Sequence, residues 1–335
     1  MSARESIIPV FVPHLGCPND CVFCNQRRIS GSTDPATADT VRRAVETAAA
    51  LPRGGAGRQL AFYGGSFTAI PIPEQMALLS AAKEYLDRGE INSLRLSTRP
   101  DAVDIPTMKR LKTYGVETIE LGAQSMDDEV LRLSGRGHTA EDVVRASELI
   151  KSHGFRLILQ MMTGLPGDTD EKAIATAERI IALAPDGVRI YPTVIVRDTA
   201  LYYLWQAGQY EEHTVEDAVR VCAKIVPLFE AAEISIIRLG LNPTEELSSG
   251  AAAGGAYHPA LGELVKSRIM LTKARQLLKG TAHGGSVTIG VHKSRISQMI
   301  GQHRQNIDTL RGELSLGEIK IIPIDCNPDE IRIID

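Results

Sequence analysis

The stretch Gly16-Cys17-Pro18-Asn19-Asp20-Cys21-Val22-Phe23-Cys24 decides how the rest of this chain is interpreted. It holds three of the chain's five cysteines, in the spacing Cys-x3-Cys-x2-Cys. Cysteine thiolates are the ligands of iron–sulfur clusters, and a [4Fe–4S] cube needs a ligand at each of its irons. Three cysteines leave one iron with an open coordination position, where a small molecule can bind. We therefore predict that Cys17, Cys21 and Cys24 bind such a cluster.

Two other interpretations of these cysteines have less support in the sequence. A structural zinc site needs another Cys or His nearby, but Cys222 and Cys326 are distant along the chain and there is no second Cys-x2-Cys pair. A disulfide is not expected in a chain that stays in a reducing compartment, where crowded cysteines usually bind metals.

The composition is that of an ordinary folded protein. Its 335 residues, 43% hydrophobic and 23% charged, suffice for one large domain and a small one. The first residues contain no apolar signal core, and no apolar stretch approaches the length of a membrane span. We therefore expect a cytoplasmic protein without a membrane partner. The net charge is −4, so a nucleic-acid partner would have to bind a local basic surface.

Short β-rich runs alternate with amphipathic helical stretches from residue 7 to about residue 240, as in parallel strands joined by crossover helices. Six such units predict an α/β fold, a partial (β/α)6 barrel, in which reactive groups lie at the C-terminal ends of the strands. The predicted strands lie near residues 7–12, 59–64, 93–98, 117–122, 156–162 and 187–192. The predicted helices are Thr37–Ala50, Pro73–Asp87, Pro106–Tyr114, Thr139–His153, Glu171–Ala184 and Val215–Ala231.

The pattern changes after the barrel, which takes residues 1–240 in this division. Glycine-rich breakers surround one good helix, Leu261–Leu278, so residues 241–284 are predicted to be a helical bridge. Residues 285–335 are predicted to form a small α+β domain. Its strands and helical turns are expected at 287–291, 295–311, 319–323 and 331–334.

With Phe23 just before the last cysteine, the cysteine motif resembles the signature of the radical S-adenosylmethionine (SAM) superfamily. The resemblance implies an enzyme with two cofactors, a [4Fe–4S] cluster and SAM, and an electron donor such as flavodoxin or ferredoxin. In that superfamily the open iron binds the amino and carboxylate groups of SAM, and an electron from the reduced cluster cleaves the sulfonium to give a 5′-deoxyadenosyl radical. It makes Cys17, Cys21 and Cys24 catalytic, metal-binding residues and places Phe23 beside the cofactor.

Two glycines follow the second predicted strand, in Tyr63-Gly64-Gly65-Ser66-Phe67-Thr68. Glycines let the backbone approach a ligand closely, and the corresponding Gly-Gly-Glu segment of the superfamily receives the methionine amino group. The resemblance implies that Gly64, Gly65 and Ser66 contact SAM. Because Ser66 stands where the glutamate often sits, backbone carbonyls would have to make that contact. A plain turn is the alternative.

Polar side chains also follow later strands. The runs Leu121-Gly122-Ala123-Gln124-Ser125 and Gly135-Arg136-Gly137-His138 resemble oxygen-independent coproporphyrinogen-type enzymes and the Elongator catalytic subunit. In those enzymes the Gln and the Arg contact the carboxylate and ribose of SAM, which implies the same for Gln124 and Arg136. Gln160 stands where coproporphyrinogen-type enzymes have an aspartate for the ribose hydroxyls, and Ser97 is a further candidate. The alternative is that these side chains cap loops.

The stretch that begins Arg189-Ile190-Tyr191-Pro192-Thr193 and runs through Tyr210 is similar to the radical SAM domain of the Elongator catalytic subunit, which acts on the wobble uridine of tRNA. The resemblance covers roughly residues 7–240. Arg197 and Tyr202 would line the open side of the barrel, although core packing is the commoner role of aromatic residues. The remaining residues do not accommodate the acetyltransferase domain of Elongator subunits, so acetyl-CoA chemistry is not expected.

The tail contains Ile300-Gly301-Gln302-His303-Arg304, which resembles the Ile-Gly-x-x-Gly loop of KH domains. In KH domains a helix–loop–helix of this kind clamps the backbone of single-stranded nucleic acid. Arg304 replaces the second glycine and adds a cation that can pair with phosphate. The resemblance implies a KH-like RNA-binding domain with a basic face. Its expected RNA-binding residues are Lys293, Arg295, Gly301, Gln302, His303 and Arg304, with Arg311 nearby.

The sequence thus supports one leading hypothesis and two alternatives. The leading hypothesis is a radical SAM enzyme, a transferase or an oxidoreductase, that modifies tRNA or rRNA. The first alternative is a radical SAM oxidoreductase that acts on a small molecule such as a tetrapyrrole. The second is an RNA-binding protein in which the cluster is structural.

Overall fold

The computed structural model describes residues 6–12, 17, 20–25, 35–51, 57–242, 247–279 and 285–334. Of the cysteine-rich stretch, Gly16, Pro18 and Asn19 lie outside these residues. The chain forms two compact units. The first takes Met1–Thr214 and Leu228–Tyr257, and the second takes Val215–Pro227 and His258–Asp335. The three-part division expected from the sequence, with boundaries at 240 and 284, stays a prediction.

Nine strands belong to the described part of the first unit. They are β1 (Ser6–Val12), β2 (Arg58–Gly64), β3 (Ser93–Thr98), β4 (Val116–Gln124), β5 (Arg156–Thr163), β6 (Gly187–Pro192), β7 (Val194–Val196), β8 (Ser235–Leu239) and β9 (Ala252–Gly255). β1 to β6 pair in chain order and β8 adds to β6, so that seven parallel strands form a sheet that curls into a half-barrel. The α/β half-barrel predicted from the sequence is confirmed.

Helices connect these strands, and five of them begin within one residue of a predicted start, whereas the short helices at 128–133 and 200–206 were not predicted. They are α1 (Ala38–Ala49), α2 (Ile72–Asp87), α3 (Ile105–Thr113), α4 (Asp128–Leu133), α5 (Ala140–Ser152), α6 (Asp170–Ala182) and α7 (Ala200–Gln206). Asp104 accepts a hydrogen bond from the backbone of Thr107 and caps α3, and Thr139 and Asp142 form a capping box at α5. Such caps satisfy backbone N–H groups that have no partner within the helix.

The two faces of the sheet differ in polarity because successive side chains of a strand point to opposite faces. On the face of Leu60, Leu94, Leu96, Ile119 and Leu121, the side chains are 0% exposed and belong to the apolar core. The concave face instead carries polar side chains. These include Tyr63, Arg95, Ser97, Glu120, Gln160 and Arg189. The half-barrel therefore encloses a polar space.

Three strands were not predicted. β8 lacks the strong apolar pattern of a buried strand, since most of its residues are only partly buried. β7 and β9 form a separate antiparallel pair. In the sequence, the glycines of β9 suggested a break in regular structure. In the structure, a Cβ on Gly255 would lie 2.7 Å from the carbonyl oxygen of Thr193. Glycine is therefore what allows this strand to pair so closely.

The second unit contains a small mixed sheet and short helices. α8 (Val215–Ala231) begins in this unit and ends in the first. The other elements are α9 (Leu261–Leu277), β10 (Val287–His292), α10 (Ile296–Ile300), α11 (Gln305–Leu314), β11 (Ile319–Ile324) and β12 (Ile331–Ile334). β10 lies in the middle, parallel to β11 and antiparallel to β12. No helix in the described part of the chain is long and apolar enough to cross a membrane.

The core of the second unit joins the tail to the helix that precedes it. Met270, Leu271 and Ala274 of α9 belong to the same buried cluster as Ile289 of β10 and Ile307 of α11. The tail therefore shares its core with α9.

The buried face of the half-barrel gives a stability prediction. Ile119 lies in β4 and is 0% exposed, so Ile119→Ala should lower the free energy of unfolding by about 2–5 kcal/mol through lost burial and a cavity. Ile105, at the start of α3 and 52% exposed, is the matched control, and Ile105→Ala should change stability by less than about 0.5 kcal/mol. Urea unfolding followed by circular dichroism measures both. Equal losses would contradict the placement of β4 in the core.

Candidate active site

The cysteine-rich loop is held from two sides. The backbone N–H of Val22 donates to the carbonyl of Ser134 at 3.1 Å, and the N–H of Leu201 donates to the carbonyl of Val22 at 2.7 Å. Val22 and Phe23 also pack against the buried cluster around Ile195 and Leu201. The loop is thus fixed between the turn after α4 and the first turn of α7.

Two of the three cysteines contact residues that follow strands, since Cys17 meets the backbone of Ser66 after β2 and Cys21 meets the guanidinium of Arg136. The Cys24 N–H donates to the Cys21 carbonyl at 3.0 Å, which makes a tight turn between the last two. Burial raises the pKa of the Cys17 thiol, and a hydrogen bond from the Ser66 backbone opposes that shift. Among the described residues, no three His, Cys, Asp or Glu side chains converge on a point that could hold one metal ion. A [4Fe–4S] cluster binds each cysteine through a different iron, so its cysteine ligands do not need to converge on a single point.

The glycine turn after β2 is bonded to the end of β1. The Gly65 N–H donates to the Val12 carbonyl at 2.7 Å. Gly64 has φ +107°, and a Cβ there would lie 3.2 Å from the same carbonyl oxygen. The Ser66 hydroxyl is buried, hydrogen-bonds with Thr98 at 2.9 Å and accepts from the Arg99 N–H at 3.3 Å. The Ser66 side chain therefore ties this turn to the end of β3, and only its backbone faces Cys17.

Gln124 and Arg136 meet over Gly122, and Arg136 also contacts Cys21. Arg136 Nη1 donates to Cys21 Sγ at 3.2 Å, and Nη2 donates to the Gly122 carbonyl at 2.7 Å. Gln124 has φ 67°, an unusual left-handed conformation for this residue type, at an irregularity in the pairing of β4 with β5. A Cβ on Gly122 would lie 2.9 Å from Gln124 Nε2 and 3.3 Å from Arg136 Nη2. The glycine leaves the space in which these two side chains meet.

Arg99 and His138 were part of the motifs but were not singled out by sequence reasoning. Arg99 forms a bidentate ion pair with Asp101 at 2.9 and 3.1 Å and also donates to the carbonyl of Arg136. His138 is buried with its Nε2 3.2 Å from the Ala123 carbonyl. Burial and the charge of Arg136 lower the pKa of His138 to about 4, so its imidazole is neutral near neutral pH. The position of Arg99 directly after β3 was the available signal.

Gln160 and Ser97 also lie on the concave face, but in different surroundings. The Gln160 amide donates to Glu120 Oε2 at 2.9 Å. This carboxylate is buried and bonded as well by Tyr63, Arg95 and Arg189. Sequence reasoning missed this group because its members come from separate strands. The available signal was the alternation of polar and apolar residues in β3, where Ser93, Arg95 and Ser97 alternate with leucines.

Several buried polar atoms at this edge have no hydrogen-bond partner within the described residues. They are Oε1 of Gln124, Oγ of Ser97 and Nη1 of Arg99. Buried polar atoms without a partner cost free energy, so a bound ligand that supplies donors and acceptors would stabilise them. The ammonium, carboxylate and ribose groups of SAM provide both kinds, and the residues present fit that ligand.

Arg197 and Tyr202 come together on the first unit. The Arg197 guanidinium lies 5.9 Å from the centre of the Tyr202 ring, and Nη1 donates to the Tyr202 hydroxyl at 3.4 Å. Tyr202 also packs against the cluster that holds Phe23. Its neighbour Tyr203 is 58% exposed. Tyr202 therefore takes part in core packing, which was the alternative to a position on the open side of the barrel.

The predicted RNA-binding residues lie in the second unit. Gly301, His303 and Arg304 all have positive φ, at 78°, 49° and 65°. Lys293, Gln302, His303 and Arg304 are exposed. Arg295 is engaged instead, in an ion pair with Asp329 at 3.3 Å and a hydrogen bond to Gln298 at 3.0 Å. A small groove beside the loop is lined by Glu263, Leu264, Ser267, Ser297, Gln298, Gly301 and Gln302.

Comparison with known proteins finds relatives over part of the chain. It is 35% identical to human Elongator complex protein 3 over 138 residues, which cover 40% of this chain and 25% of that protein. It is 32% identical to the tRNA uridine(34) acetyltransferase of Methanocaldococcus jannaschii over 183 residues, which cover 49% of this chain and 34% of that one. The matches thus span 25% and 34% of these relatives' lengths.

The fold is shared with a solved structure. The archaeal Elp3 of Methanocaldococcus infernus, with an N-terminal deletion, superposes with a TM-score of 0.64 at 22% identity, over 82% of this chain and 64% of that one. The radical SAM superfamily model matches residues 11–180, and the model of the radical SAM C-terminal domain matches residues 185–270. The first match contains the three cysteines together with Gln124 and Arg136. It covers half of the 335 residues, and the chain belongs to the radical SAM superfamily.

Proposed function

We propose that this protein is a [4Fe–4S]-dependent radical SAM enzyme that cleaves SAM and modifies RNA, either tRNA or rRNA. The observation that carries the proposal is the contact of Arg136 with Cys21 and the meeting of Arg136 and Gln124 over Gly122, together with buried polar atoms that lack partners among the described residues. The superfamily match supports the two cofactors. The names of the relatives, among them tRNA uridine(34) acetyltransferases, support an RNA substrate.

In this proposal Cys17, Cys21 and Cys24 bind the cluster. SAM lies beside it, against the backbone of Gly64 to Ser66 and the side chains of Ser97, Gln124, Arg136 and Gln160. The bound cluster and SAM together supply a 5′-deoxyadenosyl radical.

The chain's own groups orient and shield this site. Arg136 donates a hydrogen bond from its guanidinium to the Cys21 sulfur, and so fixes the position of that side chain. Val22 and Phe23 pack against the apolar cluster around Leu201, which limits the access of water to that side of the loop. Gln124 and Ser97 offer polar atoms to the ligand from two adjacent strands.

The loop at Gly301 to Arg304 is proposed to bind RNA as a KH-like element. Arg304 stands where the loop of KH domains has its second glycine. Its φ of 65° is left-handed, a conformation that glycine adopts most easily. Exposed Arg304 directly precedes α11 and brings positive charge to its N-terminal end, and Lys293 and His303 are exposed in the same unit. Backbone N–H groups at a helix start and nearby cations favour phosphate. An electron donor of the flavodoxin or ferredoxin class and a cytoplasmic location remain predictions.

A second candidate function is a radical SAM oxidoreductase that acts on a small anionic molecule such as a tetrapyrrole. It is favoured by the buried arginines Arg95 and Arg189 on the concave face of the sheet. Mass spectrometry of nucleosides from the tRNA and rRNA of cells with and without the gene distinguishes the candidates. A nucleoside missing only in the deletion strain supports RNA modification, and identical nucleoside profiles favour the small molecule.

The cluster ligands give a direct prediction. After anaerobic reconstitution with iron and sulfide, the protein should hold about four irons per chain and cleave SAM when it is reduced. Cys17→Ala, Cys21→Ala and Cys24→Ala should each lose iron and SAM cleavage. Iron analysis and chromatography of 5′-deoxyadenosine measure the two properties.

Cys222 and Cys326 provide matched controls for these variants. Neither belongs to the cysteine-rich loop, so Cys222→Ala and Cys326→Ala should keep both iron and SAM cleavage. Full SAM cleavage by the Cys21→Ala protein would refute the assignment of the cluster.

RNA binding by the tail can be tested with a charge reversal. Arg304→Glu should weaken tRNA binding and reduce the slope of log affinity against log salt by about one unit or more, because a phosphate contact is lost. Lys320→Glu makes the same charge change at an exposed position of β11 and should have a smaller effect. Binding is measured by filter retention at several salt concentrations. If both variants bind tRNA as the wild type does, the loop is not an RNA site.

A further inference from the structure

A buried polar network crosses the concave face of the half-barrel and is centred on Glu120. Glu120 Oε1 accepts hydrogen bonds from Tyr63 Oη at 3.0 Å and from Arg95 Nη1 at 2.8 Å. Arg189 Nη2 donates to the same oxygen at 2.9 Å, and Arg189 Nε lies 2.9 Å from Oε2. Gln160 Nε2 donates to Oε2 at 2.9 Å. Side chains from five neighbouring strands, β2 to β6, therefore meet at one carboxylate.

This carboxylate is ionised and its oxygens are fully engaged. Burial opposes its charge, but Arg189 and Arg95 outweigh burial and hold the pKa of Glu120 below its usual range. One carboxylate neutralises one guanidinium, and the network contains two. A buried charge without a counter-charge is costly unless water or an anion reaches it. The network thus carries an excess positive charge.

Arg238 adds a further guanidinium to the same face. It is the pairing partner of Arg189 across β6 and β8, directly after an irregularity in their register, and its charge acts on Tyr191, which shares a face of β6 with Arg189. Arg238 is partly exposed, and no hydrogen bond or ion pair joins it to another residue in the described ranges. Near Arg189 and Arg238, Tyr191 is also partly exposed and lies 3.5 Å from Arg189. Positive charge therefore borders a space that solvent reaches.

The network lies close to the proposed SAM site. Gly122, whose carbonyl accepts from Arg136, comes two residues after Glu120 on β4. Two residues of a strand span about 7 Å. Arg189 of β6 is level with Gly122 of β4 but two strands away, a distance of about 10 Å across β5. A substrate held at Arg189 and Arg238 would have to extend across β5 to bring its reacting part to the ligand at Gln124 and Arg136. A purely structural ion network would need no excess charge and no arginine open to solvent.

We propose that Arg189 and Arg238 bind an oxyanion of the substrate inside the half-barrel, with Glu120 and Arg95 holding Arg189 in place. The chemistry is that of a phosphate or a carboxylate, both of which a pair of guanidinium groups recognises. The choice between these two sources rests on the proposed function. If the substrate is RNA, as proposed above, the oxyanion is a phosphate of the nucleotide that is modified. With a small-molecule substrate it is a carboxylate.

Calorimetry on the full-length reconstituted protein tests this site with three probes at constant ionic strength. They are uridine 5′-monophosphate, uridine as the uncharged match, and glutarate as a carboxylate. We expect an oxyanion to bind about tenfold or more tightly than uridine, the effect of a charge-assisted hydrogen bond. Arg238→Gln should remove most of this preference, and Arg238→Lys should retain part of it. The Arg238→Gln substitution leaves every hydrogen bond to Glu120 in place. Arg145 lies on the exposed side of α5, and Arg145→Gln is the matched control.

The outcomes separate the sources of the oxyanion. If the protein prefers uridine 5′-monophosphate to uridine, and Arg238→Gln removes that preference, the oxyanion is a nucleotide phosphate. If the protein prefers glutarate to uridine, and Arg238→Gln removes that preference, the site is supported with a carboxylate substrate. Because the tail is unchanged in Arg238→Gln, a loss in that variant belongs to the half-barrel. No preference over uridine with either anion, or a preference unchanged in Arg238→Gln, would overturn the inference.

This measurement is independent of the proposed function. A protein that cleaves SAM and binds tRNA but shows no oxyanion binding at Arg238 would refute the inference alone. A protein that binds the oxyanion through Arg238 but neither holds iron nor cleaves SAM would refute the proposed function alone.

Discussion

The guanidinium of Arg136 is the contact on which the arrangement of the site depends. It bridges the sulfur of Cys21 and the carbonyl of Gly122, and so joins the cysteine-rich loop to the central strand of the half-barrel. Arginine stays charged under all relevant conditions and donates in fixed directions, which suits it to hold a sulfur and a carbonyl at once. Its own backbone is held by Arg99. The absence of a side chain at Gly122 gives Arg136 the room it needs.

The strands and helices of the half-barrel could largely be predicted because their signals are local. Apolar alternation marked β1 to β6, and Thr and Asp caps marked the starts of helices. The sequence did not reveal β8, since its burial depends on the neighbouring β6. It also did not reveal the Glu120 network, whose members are up to 126 residues apart. Which strands become neighbours is a tertiary property that no local pattern contains.

Backbone conformation set a second limit on what could be predicted. Gln124 and Arg304 both adopt a left-handed φ, which costs a side-chain-bearing residue about 1–3 kcal/mol where the surroundings enforce it. At both positions the motif was visible, but the conformation was not. A glycine would relieve the strain at either position and lose the side chain. The chain retains the Gln124 amide beside Arg136 and the Arg304 guanidinium in the tail loop despite that cost.

The shared core of α9 and the tail has a consequence for evolution and for engineering. Met270 and Leu271 of α9 pack in one apolar core with Ile289 and Ile307, which belong to the elements on either side of the loop at Gly301. A chimaera that transfers only the last fifty residues to another scaffold would leave an apolar face uncovered on the graft and another on the donor. A transferable piece would have to keep α9 together with the sheet and the loop, and the compact unit that contains them also takes Val215–Pro227.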